Sequence, residues 1–240
     1  MKRFLLCTVV TASLFFISCE SSVSIKAKND KSADIQLSLD LGKALENTVS
    51  EIYKNSGNDE FELFSKKEVE AAFAGSDFKN LSVSVPSKTK LTIFGNVPSP
   101  KNQKAFSDKG NFKAANFVTC AESSLTLIFS PETIQGIVSS LPQETQELFD
   151  LLMAPVLTGE EMSHKEYVDL VGSVYGEELA AEIDSALFYV SLECPENCTI
   201  KKTSLSNLKN AVTGQKKASF SIPLADFLCI TKAWTFSITW

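Results

Sequence analysis

The chain reads as an α+β protein in which a largely antiparallel sheet is covered by amphipathic helices. Three observations lead there. Several short stretches alternate apolar and polar residues, as at Ile35, Leu37, Leu39 and Leu41; that period marks strands with one buried and one solvated face. Other stretches repeat apolar residues three and four positions apart, behind recognisable helix starts. The helical runs are segregated between groups of strands, which points to α+β.

Taken in order, Ile35 to Leu41 is a half-buried strand, with Gln36, Ser38 and Asp40 on its outer side. Ala44, Leu45, Thr48, Val49, Ile52 and Tyr53 recur at helical spacing and stop near Asn55-Ser56-Gly57. Ser65-Lys66-Lys67-Glu68 has the form of a capping box, with Phe64 and Val69 at the staple positions around it. Val69, Ala72 and Phe73 make the apolar side of that helix. Leu81, Val83 and Val85 alternate; Pro86-Ser87-Lys88 turns the chain into Leu91, Ile93 and Val97, a hairpin partner. Residues 98–114 hold Pro, Gly and Asn with little apolar content and read as a loop.

A second passage resembles the first. Leu125, Leu127 and Phe129 form a strand, and Ser130-Pro131-Glu132 is a strong helix start. Ile134, Ile137, Val138 and Leu141 line one helix; Pro142 opens another through Leu148, Phe149, Leu151 and Leu152. Ser163-His164-Lys165-Glu166 is a second capping box, with Met162 and Tyr167 as its staple. Helices carrying Leu170, Val171, Leu179 and Ile183 lead to a strand at Phe188, Val190 and Leu192. Cys194 to Cys198 turns that strand, Phe220, Ile222 and Leu224 alternate, and Trp234 to Trp240 is a closing strand. The repeated order suggests a tandem duplication, 35–129 and 121–240, sharing one sheet. The helices from Thr133 to Leu152 could also lie in a membrane interface. Their polar face is acidic through Glu144, Glu147 and Asp150, where interfacial helices favour Lys and Arg, so a core role is preferred.

The first residues give an address. Met1-Lys2-Arg3 is a basic head, and Phe4 to Ser18 is an uncharged run too short to span a membrane comfortably. Together they describe an export signal over 1–18. Phe16-Ile17-Ser18-Cys19 resembles a lipobox, with Phe16 departing from the usual Leu; relaxed lipoboxes of this kind look like those of spirochaetes. The resemblance implies lipid on Cys19, palmitate-type acylation included, and hence a lipoprotein held at the cell envelope. Several acyl chains, at about 0.8 kcal/mol for each buried methylene, would hold it stably. Glu20 to Asp34 is mostly polar, so 19–34 reads as a lipidated Cys and flexible tether, with one α+β domain over 35–240.

Composition narrows the partners. The chain has 23 Lys and Arg against 29 Asp and Glu; export removes Lys2 and Arg3 and moves the net charge from −6 to −8. That balance offers nothing to nucleic acid or anionic headgroups. Phe occurs 17 times, enough to build a core and also to line an apolar pocket. With Cys7 lost and Cys19 lipidated, four cysteines remain, and an even count in an exported chain suggests disulfides. The preferred pairing is Cys194 with Cys198 and Cys120 with Cys229. Free thiols and a four-thiolate zinc site are the rival readings.

Catalytic chemistry is not visible. His164, the single histidine, lies inside a capping box with no nucleophile paired to it by sequence. Ser87-x-x-Lys90 and Ser206-x-x-Lys209 have Ser–Lys spacing that a Ser- and Lys-rich chain produces by chance. Gly42-Lys43 lacks the upstream Gly of a phosphate loop. Glu160-Glu161 and Glu177-Glu178 sit at helix starts, where they complement the macrodipole. No cofactor and no metal site are expected.

The stretches Asp150 to Ser163 and Phe220 to Leu228, with the ending Phe236-Ser237-Ile238-Thr239-Trp240, are similar to uncharacterised treponemal lipoproteins. The resemblance implies spirochaete origin and carries no catalytic residues with it. The expected function is a non-enzymatic envelope lipoprotein, outer rather than inner membrane, facing periplasm or surface, that binds a protein partner or a lipid. Alternatives are a structural lipoprotein without a small ligand, and an enzyme whose site is assembled from distant residues. A cavity lined by Phe and Leu would separate lipid carriage from a filled core.

Overall fold

Alternation at Ile35 to Leu41 is realised as a strand inside a seven-stranded sheet. The computed structural model describes residues 20–55, 64–74, 78–99, 117–139, 146, 150, 152–205 and 211–240. The expected signal 1–18, Cys19, residues 100–114 of the expected loop, Ser206 and most of the Pro142 to Leu152 helix lie outside the described residues.

The large sheet has the order β3 (Lys79–Ser87), β4 (Lys90–Val97), β2 (Ala33–Asp40), β1 (Glu20–Ala27), β7 (Leu187–Glu193), β10 (Lys217–Pro223), β9 (Ala211–Thr213). Every pairing is antiparallel except β1 with β7. A second sheet has the order β5 (Val118–Cys120), β6 (Ser124–Phe129), β11 (Trp234–Thr239), β8 (Lys202–Leu205). The class is α+β, as the segment order predicts.

The expected tether is corrected. Residues 20–27 form β1, between β2 and β7 near the middle of the large sheet. Val23, Ile25 and Ala27 are buried, whereas Ser22, Ser24 and Lys26 are on the other face. The polar residues that suggest a tether are one side of a strand. Asp30 then turns the chain, accepting from the N–H and hydroxyl of Ser32 at 3.0 and 2.6 Å.

The pairing follows the expected duplication only in part, and the two halves do not share one sheet. β2 is bonded to β4. Their counterparts, β6 and β10, are not bonded to each other: β6 pairs with β5 and β11 in the small sheet, and β10 with β7 and β9 in the large one. The two halves share an order of elements and one antiparallel pairing, β3 with β4 and β7 with β10, but their first strands lie in different sheets.

The helices are α1 (Lys43–Asn55), α2 (Lys66–Phe73), α3 (Pro131–Val138), α4 (Ala154–Thr158), α5 (His164–Tyr175), α6 (Glu177–Ser185) and α7 (Leu224–Leu228). The capping box at α5 is complete: Ser163 Oγ accepts from the Glu166 N–H, and Glu166 accepts from the Ser163 N–H at 2.9 Å. The box expected at Ser65 is not made, because its side chain accepts no cap bond. There the helix start is seated by burial of Phe64 and Val69, both 5% exposed. At α3, Ser130 Oγ accepts from the Thr133 N–H as expected. Ile134 and Val138 face the core, and no helix among the described residues is long and apolar enough to cross a membrane.

The two sheets meet through aromatic rings. Phe129 of β6 meets Phe188 of β7 edge-on at 5.7 Å, and Phe236 of β11 meets Phe220 of β10 at 5.4 Å. Edge-to-face pairs of this kind add about 0.5–1.5 kcal/mol beyond the area they bury. Phe236 and Ile238 are fully buried, so β11 is a core strand of the small sheet.

Candidate functional site

Beside that aromatic seam the core is not filled. A cavity of about 160 Å³ lies over the inner face of β4, β2, β1 and β7. Its floor includes Val23, Ile35 and Ile93, and its walls include Phe73, Phe129 and Phe227. Every residue of the lining is apolar. Alternation sends these sheet residues to one face; the helical periods of α2 and α3 turn Phe73 and Val138 toward them.

Gly95 shapes the floor. A Cβ there would meet the Phe78 ring at 2.5 Å, so glycine lets that ring lie against the sheet. Phe78 in turn meets Phe73 edge-on at 5.6 Å. With almost no polar surface in the lining, the cavity favours an apolar group over one that needs hydrogen bonds. Apolar cavities of about 150 Å³ stay dry and accept a benzene-sized guest. Pockets for whole drug-sized molecules run to about 300–1,000 Å³, so this one fits part of a ligand.

His164, which has no nucleophile paired to it by sequence, is held by two carboxylates. Its Nε2 is 2.8 Å from Asp184 Oδ1 and its Nδ1 is 2.9 Å from Asp226 Oδ1. The ring therefore ties the start of α5 to the end of α6 and the first turn of α7. Hydrogen bonds to both carboxylates require both ring nitrogens to donate, which is the imidazolium form. The Asp184 hydrogen bond foremost, with Asp226 adding to it, holds the pKa above its usual 6.5 against the opposing effect of burial. A ring so held has no lone pair with which to act as a base. Its partners lie 20 and 62 positions away, beyond any local motif.

The four cysteines among the described residues are free thiols, so neither Cys194–Cys198 nor Cys120–Cys229 is formed. The second pair is separated by the length of the large sheet. Cys120 lies beside the β1–β2 turn at Lys28 and Asp30, whereas Cys229 follows α7 at the opposite strand ends, against Asp226 O. Cys194 and Cys198 are neighbours: the Cys194 thiol donates to Cys198 O at 3.4 Å across the expected turn. Burial, with Asp226 adding, pushes the Cys229 thiol up to about 11. Burial foremost, with Cys198 beside it, also raises Cys194. No group of three or more His, Cys, Asp or Glu that could hold a metal occurs among the described residues.

The remaining candidates are engaged structurally. Lys90 pairs with Asp40 at 2.8 Å, and Ser87 Oγ is 3.4 Å from Thr89 Oγ1. At Gly42-Lys43 the α1 N-terminus is filled by a carboxylate: Glu182 of α6 accepts from the N–H groups of Ala44 and Leu45 at 2.9 and 3.2 Å. That is where a phosphate would sit in a phosphate-binding loop. Comparison with protein-family models, curated proteins and solved structures finds no match to this chain.

Proposed function

We propose that the chain is an exported, lipid-anchored envelope protein that holds the apolar end of a ligand, such as the tip of an acyl chain, in the cavity beneath α2, α3 and α7. The observation that carries this reading is the wholly apolar, Phe-rich lining. A filled core leaves few voids larger than a water molecule. Burial of each methylene there contributes about 0.8 kcal/mol without demanding a polar partner. A polar headgroup would remain outside.

The address rests on Lys2, Arg3 and the lipobox-like run ending at Cys19. Because β1 begins at Glu20, lipid on Cys19 would leave almost no slack between the bilayer and the large sheet.

Native mass spectrometry of the Cys19→Ser chain, purified from an envelope extract, tests the binding. Added mass that extracts into organic solvent, and that is lost in a Val138→Phe variant which fills the cavity, is the expected result. Bare chain mass throughout, with no uptake of added fatty acid, would sink the lipid reading and turn attention to protein partners. Labelling cells with radioactive palmitate tests the anchor separately, since label should vanish in Cys19→Ser.

A further inference from the structure

We propose that the outer face of the large sheet binds a linear neutral oligosaccharide across its strands, with Tyr189 as the stacking platform. The alternation that sends Val23, Ile35 and Phe188 inward sends Ser22, Ser38 and Tyr189 outward. The registers place these outward residues in one line. Ser221 is opposite Tyr189, Tyr189 opposite Ser22, Ser22 opposite Ser38, Ser38 opposite Thr92, and Thr92 opposite Ser84. Adjacent strands lie about 4.8 Å apart, so six hydroxyl-bearing side chains follow one another at about that interval.

A depression of about 510 Å³ lies over the middle of this line; Ser22, Ser38, Asp40, Lys90, Thr92 and Tyr189 line it, with Leu39 and Pro86. That volume suits a small ligand. The hydroxyls of Ser22, Ser38, Thr92 and Tyr189 make no hydrogen bond to any described residue. In the adjacent row, Ser191 Oγ is shielded from solvent and has no partner among the described residues. Tyr189 keeps 38% of its surface exposed, a large fraction for an aromatic on a sheet face.

The chemistry of the lining selects the ligand class. Asp40 and Lys90 lie 2.8 Å apart as an ion pair, so the lining carries charges of both signs. β1, β2 and β7 are interior strands, and their backbone groups are committed to neighbours on both sides. A peptide adding as an extra strand needs a free edge, which this patch lacks. A saccharide presents hydroxyls along its edge and C–H groups on its ring face. Serine and threonine hydroxyls offer one donor and two acceptor sites each, and the carboxylate accepts from adjacent sugar hydroxyls. The Tyr189 ring takes the C–H face. The apolar cavity lies on the inner face of the same sheet, away from this row.

Saturation-transfer NMR on the full chain, with chitotetraose, cellotetraose and maltotetraose as probes, tests the proposal. At least one probe should receive saturation, and Tyr189→Ala should weaken its binding by about tenfold, in line with the worth of one aromatic contact. Ser38→Lys, also on the solvated face, should abolish the signal without altering the fold, which gives a second variant if Tyr189→Ala folds poorly. Val138→Phe should leave the signal unchanged. No transfer to any of the three probes would overturn the proposal. So would transfer that both outer-face variants leave intact.

Discussion

Phe227 lies flat on Phe188, with ring centroids 4.6 Å apart and planes only 13° from parallel. The stack fastens the short helix α7 to the large sheet and closes one side of the cavity. Phe227 also meets Phe129 at 5.2 Å and Trp234 at 6.5 Å, so one half-buried ring touches both sheets. Phe227→Ala should lower unfolding free energy by about 3 kcal/mol, through lost transfer energy and an enlarged void. Urea unfolding checks this. A change below about 0.5 kcal/mol, the range of ordinary surface substitutions, would show that the stack does not hold α7.

The neighbour of Phe227 in sequence is Asp226, which grips His164. Because the folded pKa of His164 is raised, the clasp adds stability that is fully present below the unfolded value of 6.5. That stability is lost as pH rises through the higher folded value. Wild-type melting temperature should therefore fall on going from mildly acidic to alkaline buffer. His164→Gln should flatten that part of the profile. A variant that retains the full wild-type slope would assign the pH dependence to other groups.

The thiols should differ sharply in reactivity. Cys198 is half-exposed, while Cys120, Cys194 and Cys229 are buried. With burial raising Cys229 to about 11, almost none of it is thiolate near neutral pH. Brief iodoacetamide treatment of the native chain should alkylate Cys198 first and spare Cys229, as read by peptide mass mapping. Mild oxidation should join only Cys194 to Cys198. A Cys120–Cys229 crosslink in native protein would contradict the placement of these residues at opposite ends of the sheet.

Glu182 caps α1 from a helix 137–138 positions away, and Gly42 makes room for it. A Cβ at Gly42 would overlap the Glu182 carboxyl group. Glu182→Ala should cost about 1 kcal/mol, the usual worth of a lost cap. Gly42→Ala should cost a similar amount by displacing the same carboxylate. If the two losses add fully in the double variant, the residues do not act through one contact.

Much of this architecture is legible from local pattern, because one buried face per strand leaves a period of two. Ile35 to Leu41, Leu125 to Phe129 and Phe220 to Ile222 are read that way. Ser163 to Glu166 is legible for a similar reason, since a capping box closes within four residues. β1 is harder. Val23, Ile25 and Ala27 do alternate with Ser24 and Lys26, but the run is short, polar and adjacent to Cys19, so the reading of a tether prevails over a strand. Overuse of Phe hints at an apolar pocket, yet does not say which rings line it, because Phe73, Phe129, Phe188 and Phe227 converge only through tertiary packing. The His164 clasp and the Glu182 cap have no sequence signature, since their partners are set by how helices dock.

The parallel pairing of β1 with β7 has a consequence for how the protein is made. Lys26 reaches Glu196, 170 positions further along the chain. In a polypeptide delivered amino end first, β1 and β2 arrive early, and the seventh strand arrives only after most of the chain has emerged. Until then one side of β1 is an open row of unpaired backbone groups, able to template association with other chains. Such long-range closure is slow. The burden of avoiding aggregation during biogenesis therefore falls on the interval between the appearance of the first strand and the arrival of its distant neighbour.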